Sequence, residues 1–399
     1  MTQDPVVVVS LARTPMGGFQ GSLSGLTAAE LGAQAISGAV KRSGHATLSE
    51  LVDEVVMGCV LPAGQGQAPA RQAALGAGLP LESPCTTINK MCGSGMKAIM
   101  LAHDSLMAGS SRVAVAGGME SMSNAPYLLP KARGGLRMGH GQVMDHMFLD
   151  GLEDAYDKGR LMGTFAEECA DHYTFTRAAQ DEFAIRSLQR AREATEAGHF
   201  NWEIQAVEVP SRQGSTLVQQ DEQALKADPS KIPTLKPAFR KDSGTVTAAN
   251  SSSISDGAAA LVLTRASTAK SLGLAPLAEI LGHSSHAQKP SLFTTAPVGA
   301  MQKLFAKTGL SAQEVDLFEI NEAFAVVTMA AMVELNLPAS KVNIHGGACA
   351  LGHPIGASGA RIVCTLIGAL KRTGGTTGVA SLCIGGGEAT ALALRLLPH

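Results

Sequence analysis

Residues 48–58 read Leu48-Ser-Glu-Leu-Val-Asp-Glu-Val-Val-Met-Gly58, and residues 310–321 read Leu310-Ser-Ala-Gln-Glu-Val-Asp-Leu-Phe-Glu-Ile-Asn321. Each segment follows an apolar-periodic stretch that ends in a turn containing Lys and Gly, and each leads into a short β-rich run. Two segments of one pattern, far apart in the chain, indicate an internal repeat and hence a duplicated fold.

A second pair of segments repeats in the same order. Ser94 opens a stretch whose apolar residues recur at helical spacing, and residues 113–116 then read as a buried strand. Ser358 opens a similar stretch, residues 377–384 read as a strand, and residues 388–397 alternate like a strand that returns beside it. Helices alternate with strands in both halves, which predicts a layered α/β architecture.

The region between the two halves differs from both. Residues 126–141 contain Pro, Gly and Arg without periodicity, Thr176 is placed to cap a helix, and residues 228–237 are rich in turn formers. A chain of 399 residues corresponds to two or three domains at about 150 residues each. The predicted domains are an N-terminal half, an inserted loop domain and a C-terminal half, at residues 1–119 plus 248–270, 120–247 and 271–399.

Composition argues against several functional classes. Charged residues make up only 17% of the chain and the formal net charge is −2, so we expect no nucleic-acid surface, which needs clustered Lys and Arg. No apolar run approaches the roughly 20 residues that span a bilayer, so we expect no membrane partner. Residues 1–5 lack the basic and apolar stretches of a signal peptide.

Seven cysteines are scattered through the chain. An odd number at irregular spacing does not indicate a disulfide framework, and reduced cysteines are typical of a reducing compartment. We therefore expect a cytoplasmic protein whose cysteines are free for chemistry.

Cys92 stands in Ile88-Asn-Lys-Met-Cys-Gly-Ser-Gly-Met96, between a strand-like run and a helical one. A sulfur at a helix start would meet unpaired backbone N–H groups, whose partial positive charge favours the thiolate. The glycines would let a substrate approach the sulfur closely. A small buried cysteine at a helix start explains the placement equally well, so position alone leaves both interpretations open.

His353 lies in the corresponding turn of the second half, Gly-His-Pro-Ile-Gly-Ala-Ser-Gly. Equivalent turns of a duplicated fold would meet across a pseudo-twofold axis, and an imidazole beside a thiol is the pairing that nucleophilic catalysis needs. A histidine that only hydrogen-bonds a Gly-rich turn is the alternative. The four-residue spacing of His345, Cys349 and His353 also admits a zinc site, but the intervening glycines and proline disfavour the continuous helix it requires.

Three more residues lie at loops of the second half. Cys383 ends an apolar strand, where a buried core cysteine is the ordinary explanation. Asn321 could cap the helix after it or hold a water molecule with its amide. Gly385 could present a backbone N–H to an oxyanion, although Gly-rich runs are commonly only turns. Each signal is weak alone, and the shared placement at duplicated loops strengthens the set.

Four segments in this order resemble the active-site segments of the thiolase family: Asn89-Lys-Met-Cys-Gly-Ser-Gly95, Asn321-Glu-Ala-Phe324, Gly352-His-Pro-Ile-Gly-Ala-Ser-Gly359 and Cys383-Ile-Gly-Gly-Gly387. The resemblance covers nearly the whole chain. It implies an α/β fold of two βαβαβαββ halves in a layered αβαβα arrangement, with an inserted loop domain that covers CoA. It also implies CoA thioesters as substrates, no metal or bound organic cofactor, and a homodimer, or a homotetramer assembled through residues 126–150.

The resemblance implies a role for each candidate. Cys92 would be the acylated nucleophile, His353 would activate it, and Cys383 would move the proton at the substrate's α-carbon. One oxyanion site would use His353 and a water held by Asn321, and the other would use backbone N–H groups of Cys92 and Gly385. The residues expected to line the pantetheine and acyl channel are Met162, Ala248, Ser252 and Phe324.

Three positions depart from the family pattern. Leu161 replaces a histidine that short-chain members often carry, in a segment that is one residue longer. His345 stands where many members have Asn, and Ser253 where many have Gly. These departures bear on the contacts with CoA and leave the proposed catalytic atoms unchanged.

The implied reaction is the reversible Claisen condensation of two acetyl-CoA molecules to acetoacetyl-CoA and CoA, through an acetyl-Cys92 intermediate. A broad-chain 3-ketoacyl-CoA thiolase of fatty-acid β-oxidation is the alternative within enzymes, because the sequence does not fix chain length. A related ketosynthase would use one cysteine with two histidines. A non-catalytic acyl-CoA or lipid carrier is the alternative from another class, and intact Cys92, His353 and Cys383 argue against it.

Overall fold

Strands from both halves of the chain join in one sheet path in the computed structural model, which describes residues 4–212 and 214–398. Of the segment considered for a signal peptide, residues 1–3 lie outside the described part. The strands are β1 (Val6–Arg13), β2 (Gly17–Gly18), β3 (Glu54–Gly58), β4 (Cys85–Ile88), β5 (Val113–Ser121), β6 (Tyr127–Leu128), β7 (Met144–Asp145), β8 (Val207–Ser211), β9 (Gly214–Val218), β10 (Ser255–Arg265), β11 (Ala278–Ala287), β12 (Leu317–Ile320), β13 (Thr377–Ile384) and β14 (Glu388–Leu396). The helices are α1 (Ala28–Arg42), α2 (Pro69–Gly76), α3 (Ser94–Ala108), α4 (Met162–Tyr173), α5 (Arg177–Glu196), α6 (Glu222–Lys226), α7 (Ala266–Ser271), α8 (Ala296–Thr308), α9 (Ala325–Glu334), α10 (Ala348–Leu351) and α11 (Ser358–Thr373).

The N-terminal half contains the spatial strand order β1-β10-β5-β3-β4. β3 pairs in parallel with β4 and β5, whereas β10 runs antiparallel between β1 and β5. Along the chain this half reads β1-α1-β3-α2-β4-α3-β5-β10, which is the predicted βαβαβαββ arrangement. β5 continues to Ser121, so the predicted domain boundary at residue 119 falls inside a strand.

The C-terminal half repeats this strand order, except that a single bridge stands in place of the edge strand. Its spatial order is β12-β13-β14-β11, with β12 parallel to β13 and β14 antiparallel to both of its neighbours. An isolated parallel bridge between Phe318 and Val342 corresponds to β4 of the first half. The two halves meet where β1 pairs with β11 at Val7 and Val8.

The strands of each half form one part of this continuous sheet, and these parts are called here the first and the second sheet. Helices cover both faces of each and form a further layer between them. Because side chains alternate along a strand, Val6 and Val8 of β1 join a core cluster with α3 and α11, whereas Val7 and Val9 join a different cluster with α1 and α2. α8 packs against β11, β13 and β14 on the outer side of the second sheet. The αβαβα layering predicted from the sequence is therefore confirmed.

The chain between β5 and β10 leaves the sheet and forms α4, α5, α6 and two small hairpins. The Thr176 side chain accepts a hydrogen bond from the backbone N–H of Ala179, which confirms it as the cap of α5. Buried ion pairs of Arg13 with Glu203 and Asp221, at 2.6 and 2.7 Å, tie this region to β1. Within the described residues, no helix has both the length and the apolar character needed to cross a bilayer.

Candidate active site

Cys92 and His353 both lie just before the helices that pack together in the central layer. α3 begins at Ser94 and α11 begins at Ser358, so the two reactive residues stand in the turns that enter the paired helices. The structure thereby places the two residues as the duplication predicts.

Two glycines allow the helix starts to approach each other closely. A Cβ built on Gly95 would lie 2.8 Å from the backbone nitrogen of Ala360, and one on Gly359 would lie 2.4 Å from the backbone nitrogen of Met96. Neither contact can be relieved by moving a side chain, since both involve backbone atoms. Glycine is therefore required at both positions for the two backbones to touch.

A tight turn holds Cys92 in place. Met91 has a φ of 48°, a left-handed conformation that costs a non-glycine residue free energy and is found disproportionately at functional sites. The Ser94 hydroxyl donates to the Met91 carbonyl at 2.6 Å and accepts from the Lys90 backbone N–H at 2.8 Å. These two bonds stabilise the strained turn that carries the sulfur.

Burial controls the protonation of the Cys92 thiol. Burial raises the pKa of Cys92 to about 11, and the backbone N–H of Gly385 opposes this shift by donating to the sulfur. Backbone N–H groups favour the thiolate, as expected for this position, but desolvation of the anion outweighs them. The thiol therefore needs a base to remove its proton.

The ring of His353 is held in one tautomer. Its Nδ1 lies 2.5 Å from the Ser358 hydroxyl, and Ser358 also contacts the Pro354 carbonyl at 3.0 Å. A carbonyl can only accept, so Ser358 donates its single proton to Pro354 and Nδ1–H must donate to Ser358. Burial lowers the pKa of His353 to about 3, which keeps the ring neutral and Nε2 unprotonated.

Asn321 lies directly behind His353. Its Nδ2 is 3.5 Å from His353 Nε2, and its buried Oδ1 has no partner among the described residues. A buried amide oxygen normally has a hydrogen-bond partner, so this position is suited to a bound water. Phe324 rather than Asn321 precedes α9 as its N-cap, so the capping alternative is wrong.

A cavity of about 380 Å³ joins the candidate groups. Cys92, His353, Cys383 and Gly385 all line it. The predicted channel residues line it as well, namely Met162, Ala248, Ser252 and Phe324. Two positions that depart from the family pattern also lie in its wall, Leu161 and Ser253.

Much of the apolar wall of the cavity comes from residues that no sequence motif marks. Phe148, Phe239 and Phe293 line the cavity from three separate segments of the chain. Phe239 would collide with any side chain at position 163, because a Cβ on Gly163 would lie 2.2 Å from its ring. No motif marks these three phenylalanines, and their only distinction in the sequence is that aromatic residues are scarce, at 4% of the chain.

Glu120 is a further residue that the sequence did not single out. Its buried carboxylate accepts backbone N–H groups from Val60 and Leu61 in the N-terminal half, and from Gly356 in the turn before α11. Burial raises the pKa of Glu120 to about 7 against the effect of these three bonds. Glu120 thus ties the loop at Val60 and Leu61 to the turn that carries His353.

The proposed zinc residues do not form one site. His345 Nε2 accepts from Arg372 at 3.0 Å, and the Cys349 thiol donates to the Glu322 carbonyl at 3.6 Å. Among the described residues, His345, Cys349 and His353 do not bring their ligand atoms together. The zinc alternative for this trio is therefore wrong, because α10 is helical only over Ala348–Leu351 and the positive φ of Gly346 and Gly352 leaves both histidines outside it.

Comparison with known proteins agrees with this geometry. The family description "Thiolase, N-terminal domain" matches residues 6–267, and "Thiolase, C-terminal domain" matches residues 274–396. Acetyl-CoA acetyltransferase 2 of Arabidopsis thaliana is 53% identical over 98% of this chain and 97% of its own length. Acetyl-CoA acetyltransferase of Schizosaccharomyces pombe is 48% identical over 99% of this chain and its entire length.

Solved structures agree as well. The crystal structure of the Bacillus anthracis acetyl-CoA acetyltransferase superposes with a TM-score of 0.95 at 42% identity, covering 99% of each chain. The Acat5 thiolase from Ascaris suum in complex with coenzyme A gives a TM-score of 0.92 at 42% identity, over 98% of this chain and all of that one. The family predicted from the four motif segments is confirmed: this chain belongs to the thiolase family.

Proposed function

We propose that this chain is an acetyl-CoA C-acetyltransferase, which reversibly condenses two acetyl-CoA molecules to acetoacetyl-CoA and CoA. The observation that carries the proposal is the meeting of Cys92, His353 and Cys383 with the Gly385 backbone N–H in one largely apolar cavity. The two acetyl-CoA acetyltransferases compared above are 53% and 48% identical to this chain over nearly its full length. Their names support the same acyl-transfer activity.

The first half-reaction transfers an acetyl group to Cys92. The neutral His353 takes the thiol proton on Nε2 while the sulfur attacks the thioester carbonyl, and CoA leaves with the proton that His353 returns. Hydrogen-bond donors that are already fixed in position lower the barrier by stabilising the oxyanion. The proposed donors are His353 with a water held by Asn321, and the backbone N–H groups of Cys92 and Gly385. Because burial lowers the pKa of His353 to about 3, its ring is unprotonated at neutral pH and can accept a proton.

The second half-reaction needs a base for carbon rather than for sulfur. Cys383 first gives its thiol proton to His353, which lines the same cavity, and the Cys383 thiolate then removes a proton from the methyl group of the second acetyl-CoA. The resulting enolate attacks the carbonyl of acetyl-Cys92 and the Cys92–acyl bond breaks. The Cys92 sulfur takes the proton held by His353, Cys383 keeps the methyl proton, and acetoacetyl-CoA is released. Burial, with Cys92 nearby, raises the pKa of Cys383 well above its usual range, so its thiolate is a stronger base than an ordinary cysteine.

The CoA chain has space to extend away from the reacting atoms. A second cavity of about 260 Å³ shares Ala248 and Ser253 with the first, and its wall includes Lys231. We assign this path to the pantetheine arm and nucleotide of CoA, with the Lys231 ammonium available to a phosphate. No metal or organic cofactor takes part in this mechanism.

Assembly and location are part of the same proposal. Residues 126–150 expose several large apolar side chains, including Met138, which is 99% exposed, and exposed apolar groups on a protruding segment suit a protein interface. We propose a homodimer, or a homotetramer formed through this segment. Free cysteines at all seven positions suit the reducing cytoplasm.

The direct test is to trap the covalent intermediate. Enzyme mixed with acetyl-CoA alone and quenched in acid should carry one acetyl group, and peptide mapping should place it on Cys92. An acetyl group found only on Cys383, or no acetyl group on active enzyme, would overturn the assignment. Thiolysis of C4 against C8 3-ketoacyl-CoA distinguishes the broad-chain alternative, since we expect kcat/KM to fall about tenfold, or about 1.4 kcal/mol, with the longer substrate.

A further inference from the structure

His103, Asp104 and His283 form a cluster outside the cavity. His103 and Asp104 lie on α3, nine residues and more beyond the helix start, and His283 lies on β11 of the other half. At 1.5 Å per residue, about 14 Å of helix separates the cluster from the turn that carries Cys92. None of the three residues takes part in the chemistry described above.

Their ligand atoms converge. His103 Nδ1 lies 3.0 Å and His283 Nε2 lies 2.9 Å from the same oxygen, Asp104 Oδ1. All three atoms lie within 4.8 Å of one another. The two imidazole rings meet edge to face, with centroids 4.9 Å apart, and one nitrogen of each contacts the same carboxylate.

We propose that His103, Asp104 and His283 bind a divalent transition-metal ion such as Zn²⁺ or Ni²⁺. Two imidazole nitrogens and one carboxylate oxygen are a donor set that these ions prefer, at bond lengths of about 2.0–2.2 Å. Such bonds place neighbouring ligand atoms about 3.0–3.5 Å apart, close to the two separations from Asp104. The side chains of His103 and His283 are 16% and 9% exposed, whereas that of Asp104 is 56% exposed. The surrounding protein therefore holds the two histidines in place, and an ion can reach the site from solvent beside Asp104.

A metal-free explanation accounts for the same contacts and must be separated from this one. Asp104 could simply accept hydrogen bonds from two neutral or protonated imidazoles. Lys307 adds a cost for any cation, since its Nζ donates to the His283 carbonyl at 3.2 Å. The explanations differ in what an added metal ion does: only a metal site binds it with defined stoichiometry and is lost when a ligand is removed.

Metal binding would also link the two halves. α3 belongs to the N-terminal half and β11 to the C-terminal half, so an ion bound by both is bound only when they are docked. An ion that binds the folded state alone stabilises it by linkage. Zn²⁺ should therefore raise the melting temperature of the intact protein.

The test uses full-length protein that has been treated with chelator and then with iodoacetamide, so that thiols do not bind the metal. Calorimetric titration with NiCl₂ and with ZnCl₂ should show one bound equivalent in the wild type. The affinity for that metal ion should fall at least about tenfold, or about 1.4 kcal/mol, in His283→Ala and in His103→Ala. The matched control is His140→Ala, which removes an exposed histidine outside the cluster.

Two readouts keep the result decisive. Far-UV circular dichroism confirms that each variant is folded, and thermal melts with and without Zn²⁺ should show stabilisation of the wild type and His140→Ala but not of His283→Ala. No bound equivalent in the wild type would overturn the proposal. Equal binding by the wild type, His283→Ala and His103→Ala would overturn it as well.

Discussion

The turns that lead into α3 and α11 are equivalent in the duplicated fold, yet they fix their reactive groups by different means. In the first turn the backbone conformation positions Cys92, because Met91, at a φ of 48°, bends the chain sharply just before it. In the second turn a side chain orients the imidazole, because Ser358 accepts from His353 Nδ1 and so determines which ring nitrogen is unprotonated. The duplication supplies two matching helix starts, and divergence of the turns supplies two different chemical groups.

The serine that begins each helix shows the divergence most clearly. Ser94 and Ser358 both donate to a carbonyl of their own turn, that of Met91 or Pro354. The remaining acceptor site of Ser94 takes a backbone N–H, whereas that of Ser358 takes the imidazole N–H. The same residue at the same position therefore supports backbone strain in one half and a tautomer in the other.

Replacing Cys383 with alanine should have the largest effect and should leave both turns intact. Cys383→Ala loses the proposed base for carbon, so condensation of acetyl-CoA should fall at least about 10³-fold. Acetylation of Cys92 should persist, because acyl transfer removes no proton from carbon. Exchange of acetyl α-protons with deuterated water should disappear along with condensation. Condensation near the wild-type rate would mean that Cys383 is only a packed strand residue.

Replacing Gly359 with alanine should separate the two turns. Its new Cβ would meet the backbone of α3 at 2.4 Å, so the helix starts must move apart. We expect a loss of about 1–3 kcal/mol in the free energy of unfolding and a fall of about 10²-fold in the rate of Cys92 acetylation. Gly134→Ala is the control, because its Cβ would meet nothing closer than 3.9 Å. Equal behaviour of the two variants would show that contact between the backbones does not position the sulfur.

The two serines should give different defects. Ser358→Ala should slow Cys92 acetylation about tenfold, the equivalent of one hydrogen bond of about 1.4 kcal/mol, with little change in the KM for acetyl-CoA. Ser94→Ala should instead lower the free energy of unfolding by about 1–3 kcal/mol, since the Lys90 N–H loses its acceptor. Denaturant titration and single-turnover kinetics on both variants measure this contrast. Matching profiles would show that the serines do not differ in role.

His345 provides the smallest effect, on acid stability. Burial, with Arg372 and His199 nearby, lowers the pKa of His345 from 6.5 to about 4. Between these values the unfolded chain takes up a proton that the folded chain does not, so wild-type stability falls as pH drops through that window. His345→Asn should be about 1–2 kcal/mol less sensitive than the wild type between pH 7.5 and pH 5, measured by denaturant titration. Parallel pH profiles of the two proteins would show that His345 does not contribute to acid sensitivity.

The sequence predicted the parts of the structure that depend on local pattern and on motif. Helix and strand periodicity gave the two halves, and the glycine-flanked segments gave Cys92, His353 and Cys383. The sequence indicated the backbone N–H groups that lower the pKa of Cys92 but not the larger opposing effect of burial, which depends on packing by segments distant in the chain.

Contacts between residues distant in the chain could not be predicted from the sequence either. Glu120 is one acidic residue at the end of an apolar strand, and only the folded chain shows that it holds Gly356 of the other half. Phe239 and Phe293 reach the cavity from segments without a recognisable motif. Such residues are recruited by tertiary approach, which leaves no periodic signal in the sequence.

The pairing of the two turns is tested most directly by the rate at which acetyl-CoA acetylates Cys92 in a single turnover, measured by rapid acid quench and mass spectrometry. His353→Ala should slow this step by about 10²–10⁴-fold, whereas His199→Ala should leave it unchanged. In the wild type the rate should not fall between pH 7 and pH 5, because the pKa of His353 lies near 3 and the ring stays a base throughout. An acetylation rate in His353→Ala within about threefold of the wild type, less than about 1 kcal/mol, would contradict the pairing of the two turns.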